Sequence, residues 1–590
     1  LSVFYRLWAR CRGREFQAYL RAAGVAPPGK SKSAESLAFD LALRIAVAQS
    51  GEAAVSGLAL DWSQCYDHLL LDLLDRIVLR LGIPGALAKP MLAAYAQPRA
   101  VLLKGSIAPE RRPTAGLAPG CPRATDWLAI MSFVLVRELQ SRVPSTIARP
   151  YVDDLTADIE HADDDDGREA AVLAVSAMET TIQAYASAWT LEANMTKSRR
   201  FSTSAPVRIS LAARAGFPVT HTFKDLGVIQ TTTGQPATAA LTARDEEAFR
   251  RLNRAEILPL PMAVRALVVS ASPGSVGAYG LAAQPISDLR LRTLRTATFR
   301  AIWRSPGPSD RELVFELLVP WRCDPGFMAC IKPILGLRSG LLRNTIPSDR
   351  IADVWNLQHH TGPLRAVHDA CRRIGLQLTP GSWVFPGQSP MPLATTPLAQ
   401  VTSFLGSAWY QQCRTNLAKR RPFLTHLVPG IDHYAFRTAS RSLPTEARRA
   451  ALRVLAVDGA ITQNRASHWV PGGKLCPHCQ LEAEDVHHRL WKCPAWDSQR
   501  RDPMRGWTYN GLLALLPPCA VVTGLLPACP ELLAARRLAE APIALPPPMP
   551  ITAKAGSSVS GPGAVRRSGC LLYPSPIPRA SLASRLPASA

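Results

Sequence analysis

Tyr151-Val152-Asp153-Asp154 sets two adjacent carboxylates beside an aromatic ring. Hard divalent cations bind carboxylate oxygens, so the pair is a candidate metal site. The flanking runs 147–150 and 155–159 read as two short strands joined by a tight turn. Side chains alternate along a strand, and a hairpin tip relaxes that rule enough for at least one Asp to face a shared ion. Asp also favours turns for local reasons, and taken alone the tetrapeptide reads better as a solvated turn. A third carboxylate changes that balance. The stretch 58–67 is an apolar strand running out into Asp61, and between the two lies a Gly/Pro-rich loop at 116–122 that opens an apolar helix from about 124 to 140. Strand-Asp, loop-helix and hairpin-Asp-Asp form an ordered constellation.

A second group carries soft ligands. Cys476, Cys479, His488 and Cys493 give the spacing C-x2-C-x8-H-x4-C. A Cys-x-x-Cys turn presents two thiolates to one ion, and His488 and Cys493, little more than one helical turn apart, close a tetrahedral Cys₃His zinc site. His478 and His487 are rival ligands. Trp491 and Trp496 beside Arg489 and Lys492 suit stacking on unpaired bases; packing the small module's own core is the alternative, and the better one for Trp491.

The remaining pattern supplies elements that position these groups. Residues 1–20, with Val3, Phe4, Leu7 and Trp8 among arginines, read as an amphipathic helix. Gly29-Lys30-Ser31-Lys32-Ser33 is a basic turn before a helix at 34–49, suited either to a phosphate contact or to a plain capped start. A leucine-rich stripe at 69–81 ended by Gly82 is a core helix, and 167–191 is another, preceded by the run Asp163 to Asp166, which reads as a solvated loop. From 241 to 281 helical periodicity carries Arg244, Arg250, Arg251, Arg254 and Arg265. Mixed helix broken by Pro/Gly stretches extends to about 470, and beyond 542 the chain is rich in Pro, Ala, Ser and Gly and reads as disordered.

Composition bounds the class. At 590 residues the chain allows three or four domains, and 47% hydrophobic with 19% charged residues fits a globular protein, while 51 prolines point to some unstructured chain. Lys+Arg 68 against Asp+Glu 45 gives +23 and a pI near 9.9, a balance that suits a polyanion partner through counterion release; Arg- and Ala-rich coding is the alternative source of that excess. Thirteen scattered cysteines argue against a secreted disulfide scaffold and for a reducing compartment. No signal peptide or uninterrupted bilayer-length apolar run is present; 512–535 comes nearest, but its prolines and Glu531 rule against it. The chain reads as soluble and intracellular, in nucleus or cytoplasm, and as part of something longer.

Together these stretches resemble a reverse transcriptase, most closely those of non-LTR (LINE-type) retrotransposons. The stretch 61–67 resembles that family's first metal motif, 116–125 its template-primer and nucleotide loop, and 151–154 its second metal motif. Leu191 to Ser198 resembles the Asn-x-x-Lys stretch and Phe223 to Gly227 the Leu-Gly primer-grip turn. The resemblance covers roughly residues 1–235 and enters the family's fingers part-way; the spacing of the cysteine cluster resembles the knuckle downstream of the polymerase in the same elements.

The resemblance implies an α+β right-hand polymerase with an RRM-like antiparallel palm sheet. The expected parts are fingers and palm at 1–235, a helical thumb at 236–335, a helical connection at 336–470, a CCHC zinc knuckle at 471–500 and a mostly disordered tail at 501–590. Asp61 and Asp153 would bridge two Mg²⁺ ions, with Mn²⁺ an alternative, and Asp154 would support them; one structural Zn²⁺ completes the cofactors. The main-chain carbonyl of Trp62 would complete the nucleotide-side metal, Tyr66 would exclude a 2′-hydroxyl, and Gly120 would let backbone approach the nucleotide. Tyr151, Leu226 and Gly227 would contact the primer, and Lys197 would protonate or neutralise pyrophosphate. The implied partners are an RNA template, a DNA primer and deoxynucleoside triphosphates, with no membrane. One departure stands out: Pro119 occupies the place where the family has Gln. No ribonuclease H or endonuclease motif is visible.

Overall fold

The run Ala-Ala-Val-Ser-Gly-Leu-Ala-Leu is apolar on both faces, which suits only a central strand. In the computed structural model it becomes β1 (Ala53–Ser63), buried along nearly its whole length. The model describes residues 2–25, 33–100, 102–103, 106–107, 109–234, 238–304, 309–357, 361–387, 389–469, 471–504, 511 and 514–528.

Two short strands, β2 (Leu102–Leu103) and β3 (Ser106–Ile107), pair only with each other. The main sheet adds β4 (Ile147–Tyr151), β5 (Asp154–Ala162), β6 (Glu192–Ala193) and β7 (Arg199–Ser202), all antiparallel to their neighbours. β1 lies between β5 on one side and β6 and β7 on the other. A further hairpin, β8 (Thr222–Asp225) and β9 (Val228–Thr231), stands apart from this sheet. The mixed α+β class expected from sequence is therefore present.

Alternation divides the sheet's two faces. Leu58, Leu60 and Trp62, with Leu155, Ala157 and Ile159, enter a large core against helices Ala124–Arg142 and Asp165–Trp189. Val55 and Ala59 face the other way, onto Leu41, Ile45 and Ala48 of helix Ala34–Ala48. On that second face Asp158 is fully buried and accepts from Arg44 Nε at 2.8 Å and from Arg149. Such a buried carboxylate is tolerated because two guanidinium groups pair with it.

Helix Ala34–Ala48 is buried on every side from Leu37 to Ala48, and its charged residues Glu35, Asp40 and Arg44 are each paired. Its Phe39, Leu43 and Val47 pack into a second core with Phe327, Ile334, Val367 and Leu405. Lys332 pairs with Glu35 at 2.9 Å, and Arg343 Nε with Asp40 at 3.0 Å. One helix thus joins the sheet to the helical region behind it.

Several expectations need correction. The thumb boundary at 335 falls inside helix Pro325–Arg343, whose core is shared with helices Gly362–Ile374 and Leu398–Arg420, so burial does not divide thumb from connection there. The expected N-terminal helix is two, Val3–Cys11 and Gly13–Ala22, broken at Arg12. Asp163 to Asp166 is solvated as expected but opens a helix where a loop was expected: Asp164 caps helix Asp165–Trp189 by accepting from Gly167 N at 2.8 Å, and Asp163 pairs with Arg168. Carboxylates at a helix N-terminus meet its unpaired N–H groups and positive dipole end, a use that a charge-run reading overlooks. Gly29 to Lys32 and the tail beyond 528 lie outside the described residues. Among the described residues no helix is long and apolar enough to cross a membrane.

Candidate functional site

β1 and β5 pair so that Asp61 lies directly opposite Asp154. Directly paired residues share a face of the sheet, so both carboxylates lie on the face of Thr156 and Asp158, away from the large core. The hairpin from β4 to β5 closes through Val152 and Asp153, with Tyr151 opposite Asp154. Val152 sits at φ +59, a region that β-branched side chains rarely enter, and strain of this kind costs about 1–3 kcal/mol.

Crowding shows in the electrostatics. Burial, then the charges of Asp153, Asp61 and Asp225, push the Asp154 carboxyl up to about 7. Asp153 is raised by burial, with Asp61 adding to the effect. The cation acting against both shifts is Lys197, whose Nζ lies 3.1 Å from Asp61 Oδ2. The 194–198 segment wraps the end of β1: Asn194 N donates to Asp61 O at 2.8 Å, and Asp61 N donates to Ser198 Oγ at 3.2 Å.

Tyr66 follows on the short helix Cys65–His68. Burial, with Asp153's charge second, pushes its phenol up to about 12, so the ring stands within electrostatic reach of the carboxylates. The Gly/Pro loop is tied to the same helix: Leu117 N donates to Tyr66 O at 2.8 Å and Gly116 N to Leu69 O at 2.9 Å. Gly120 has φ +77 with open space where a side chain would stand. Cys121 behind it is gripped by Tyr95 Oη at 2.8 Å and Tyr5 Oη at 3.3 Å. The Trp62 side chain lies on the opposite face, in the large core, and its backbone is paired with Ala193.

The Leu226-Gly227 turn joins β8 to β9 with both residues at positive φ, +47 and +81, as a two-residue hairpin turn requires. It is held from two sides. Asp225, buried, accepts from Thr156 Oγ1 at 2.7 Å, which fixes the hairpin to β5 two residues past Asp154. Arg244 donates to Gly227 O at 2.6 Å and to Tyr279 O at 2.7 Å, and Tyr279 Oη donates to Leu226 O.

Two of the five arginines expected on a basic face of the 241–281 helices, Arg244 and Arg265, do such work. Arg265 is buried and donates to the carbonyls of Leu260 and Ile302, while Arg250 and Arg251 pair with Glu247. Of the five arginines, Arg254 remains exposed without such a partner among the described residues. Sequence reasoning missed Ser198, Asp225, Arg244 and Tyr279 as supports. The hairpin signal at 223–227 pointed to Asp225; Tyr279 carried none.

Among the described residues, Cys476, Cys479, His488 and Cys493 are the group of three or more whose ligand atoms all lie within 4.8 Å of one another. A zinc tetrahedron with Zn–S bonds of about 2.3 Å has S–S edges of about 3.8 Å. Cys476 and Cys493 stand 3.7 Å apart, and Cys479 Sγ is 3.3 Å from His488 Nε2. His488 turns its other ring nitrogen to Glu482 at 3.2 Å, the carboxylate–histidine arrangement that orients a metal ligand. The donor set fits zinc. His478 instead packs edge-on against Trp496, and Trp491 donates to Val521 O at 2.8 Å, outside the knuckle itself. The three aspartates do not form so tight a cluster; Lys197 occupies the space beside Asp61.

No family model matches the chain, and no curated protein was found to match it.

Proposed function

We propose that this chain is an RNA-directed DNA polymerase of the retrotransposon kind, extending a DNA primer on an RNA template. The observation that carries the reading is the register of Asp61 against Asp154 at a hairpin tip, with Asp153 in the turn and Lys197 on Asp61. Asp153 and Asp154, both raised by burial and by neighbouring carboxylates, together with Asp61 are a donor set suited to hard divalent cations.

Asp61, Asp153 and Asp154 would hold two Mg²⁺ ions, which would supply activation of the primer hydroxyl and neutralisation of the leaving pyrophosphate. Lys197, beside Asp61, is placed to donate a proton from its ammonium to the pyrophosphate oxygen. Tyr66 packs against the nucleotide sugar and excludes a 2′-hydroxyl, and Gly120 brings backbone to the base or phosphates. Tyr151 and the Leu226-Gly227 turn seat the primer end, positioned relative to β5 by the Asp225–Thr156 hydrogen bond. The zinc knuckle holds template RNA.

A second reading, a nucleic-acid-binding protein without polymerase activity, is favoured by Pro119, which removes the polar side chain expected beside Gly120. Primer extension on poly(rA) with dTTP and Mg²⁺ separates the two. Extension that disappears in Asp153→Asn supports the enzyme; RNA retention with no extension by the parent chain supports the second reading.

A further inference from the structure

The stretch 401–470 has ten Lys/Arg against three Asp/Glu. Within it, helices His433–Ser442 and Glu446–Ala456 hold five arginines and a single acidic residue, Glu446. Helix His433–Ser442 buries none of its residues. Tyr434, Arg437 and Arg441 recur at i, i+3 and i+7, which places them on one stripe. The Tyr434 ring is 53% exposed, and Arg437 and Arg441 are both exposed. Among the described residues neither arginine has an ion-pair or hydrogen-bond partner for its side chain.

Both arginines line a groove of about 560 Å³ together with the apolar Met262, Leu318 and Phe436 and with Arg453. Arg453 and Arg449 share Glu446, so the one carboxylate present is already occupied by two guanidinium groups. The helix Glu446–Ala456 in turn contacts helix Pro518–Thr523, whose Val521 carbonyl receives the Trp491 indole of the knuckle. Glu484 of the knuckle accepts from Gln463 N at 2.7 Å just beyond the same helix. The helix that carries the basic stripe is therefore linked to the zinc module through helices Glu446–Ala456 and Pro518–Thr523.

We infer that helices His433–Ser442 and Glu446–Ala456 form a track for single-stranded RNA that continues from the zinc knuckle, with Arg437 and Arg441 on phosphates and Tyr434 stacked on a base. Unpaired guanidinium groups gain affinity from a polyanion by counterion release, and an exposed ring beside them suits a strand whose bases are unpaired. An apolar wall flanked by uncompensated positive charge fits base faces and phosphates together better than an uncharged partner helix. The inference rests on the nucleic-acid part of the reading above and not on its catalytic part, so the Asp153→Asn chain serves equally well for the test.

The full chain is titrated with labelled oligo(rU), and with oligo(dT), across a range of salt. Each phosphate contact to a single strand contributes about 0.7 to the slope of log affinity against log salt. The double variant Arg437→Gln/Arg441→Gln is expected to lower that slope by about 1.4, and Tyr434→Ala to weaken binding about 5- to 150-fold. Zinc content and melting temperature should match the parent, which separates lost contacts from lost folding. Equal losses on both oligonucleotides mean that the track reads phosphates and base faces; a loss greater for oligo(rU) adds a ribose contact. An unchanged slope in a double variant that still binds RNA overturns the track while leaving the polymerase reading intact. Competition by poly-glutamate stronger than by oligo(rU) assigns the groove to an acidic protein instead. A parent chain that binds neither oligonucleotide overturns both readings together.

Discussion

Lys197 Nζ lies 3.1 Å from Asp61 Oδ2, in a pair whose side chains are 64% and 25% exposed. A pair so open to solvent contributes at most about 1 kcal/mol to stability, so its effect on folding should be small. Its chemical effect should be large. Lys197→Ala is expected to leave the unfolding midpoint nearly unchanged and to lower the primer-extension rate about 100-fold or more, the range for losing a positioned proton donor. Lys197→Arg keeps the charge but donates a proton poorly, and should restore nucleotide KM more than kcat. A Lys197→Ala chain with full kcat would remove the residue from the chemistry.

Asp154 carries its own pH signature. Its carboxyl is pushed up to about 7 by burial first and by Asp153, Asp61 and Asp225 after it, against about 3.9 in an unfolded chain. The fold therefore holds this proton more tightly than the unfolded chain does. The stability it contributes is fully present below about pH 4, is lost as pH rises to about 7, and levels off above that. Without divalent ions, Asp154→Asn should melt at least about 2 °C higher than the parent at pH 8, and the gap should close toward pH 4. A gap that does not change with pH would mean that Asp154 is not the group responsible.

Arg244 should matter for stability where Arg254 does not. Its guanidinium holds both Gly227 O and Tyr279 O, so Arg244→Ala leaves two carbonyls without their charged donor. A loss of about 2–3 kcal/mol is expected in denaturant unfolding, while exposed Arg254→Ala should stay within about 0.5 kcal/mol. Gly227→Ala should be damaging for a separate reason: its backbone is at φ +81, and an added Cβ would stand 3.0 Å from the Tyr279 ring. Equal stability in the two arginine variants would mean that the hairpin is held by Asp225 and Thr156 alone.

These contrasts mark what the sequence could and could not reveal. Strand β1, the Tyr151–Asp154 hairpin and the Leu226-Gly227 turn were legible because local pattern and turn chemistry agree there. The zinc ligands were legible because their spacing alone constrains geometry. Helical periodicity records which residues are polar and not what they meet, so it could not show that Arg244 and Arg265 of 241–281 turn inward to carbonyls presented by distant segments. The packing of the helical region against the sheet was not legible for a related reason. Helix Ala34–Ala48 contributes Phe39, Leu43 and Val47 to a core whose other members lie some 300 residues later, and no window of sequence contains both.

The knuckle gives a prediction that reaches beyond its own ligands. Removing zinc leaves Cys476, Cys479, His488 and Cys493 to repel or reprotonate, and burial pushes the Cys493 thiol up to about 11. Glu482→Gln, which replaces the carboxylate beside His488 with a neutral amide, should weaken zinc retention about 10- to 100-fold, measured by competition with a chromophoric chelator. Because Trp491 is fixed to Val521 O, loss of the ion should also release helix Pro518–Thr523. Hydrogen exchange after chelation is therefore expected to rise both at 476–493 and at 518–525. A rise confined to the first stretch would mean that packing against residues 422–427 and 446–456 holds that helix without help from the metal.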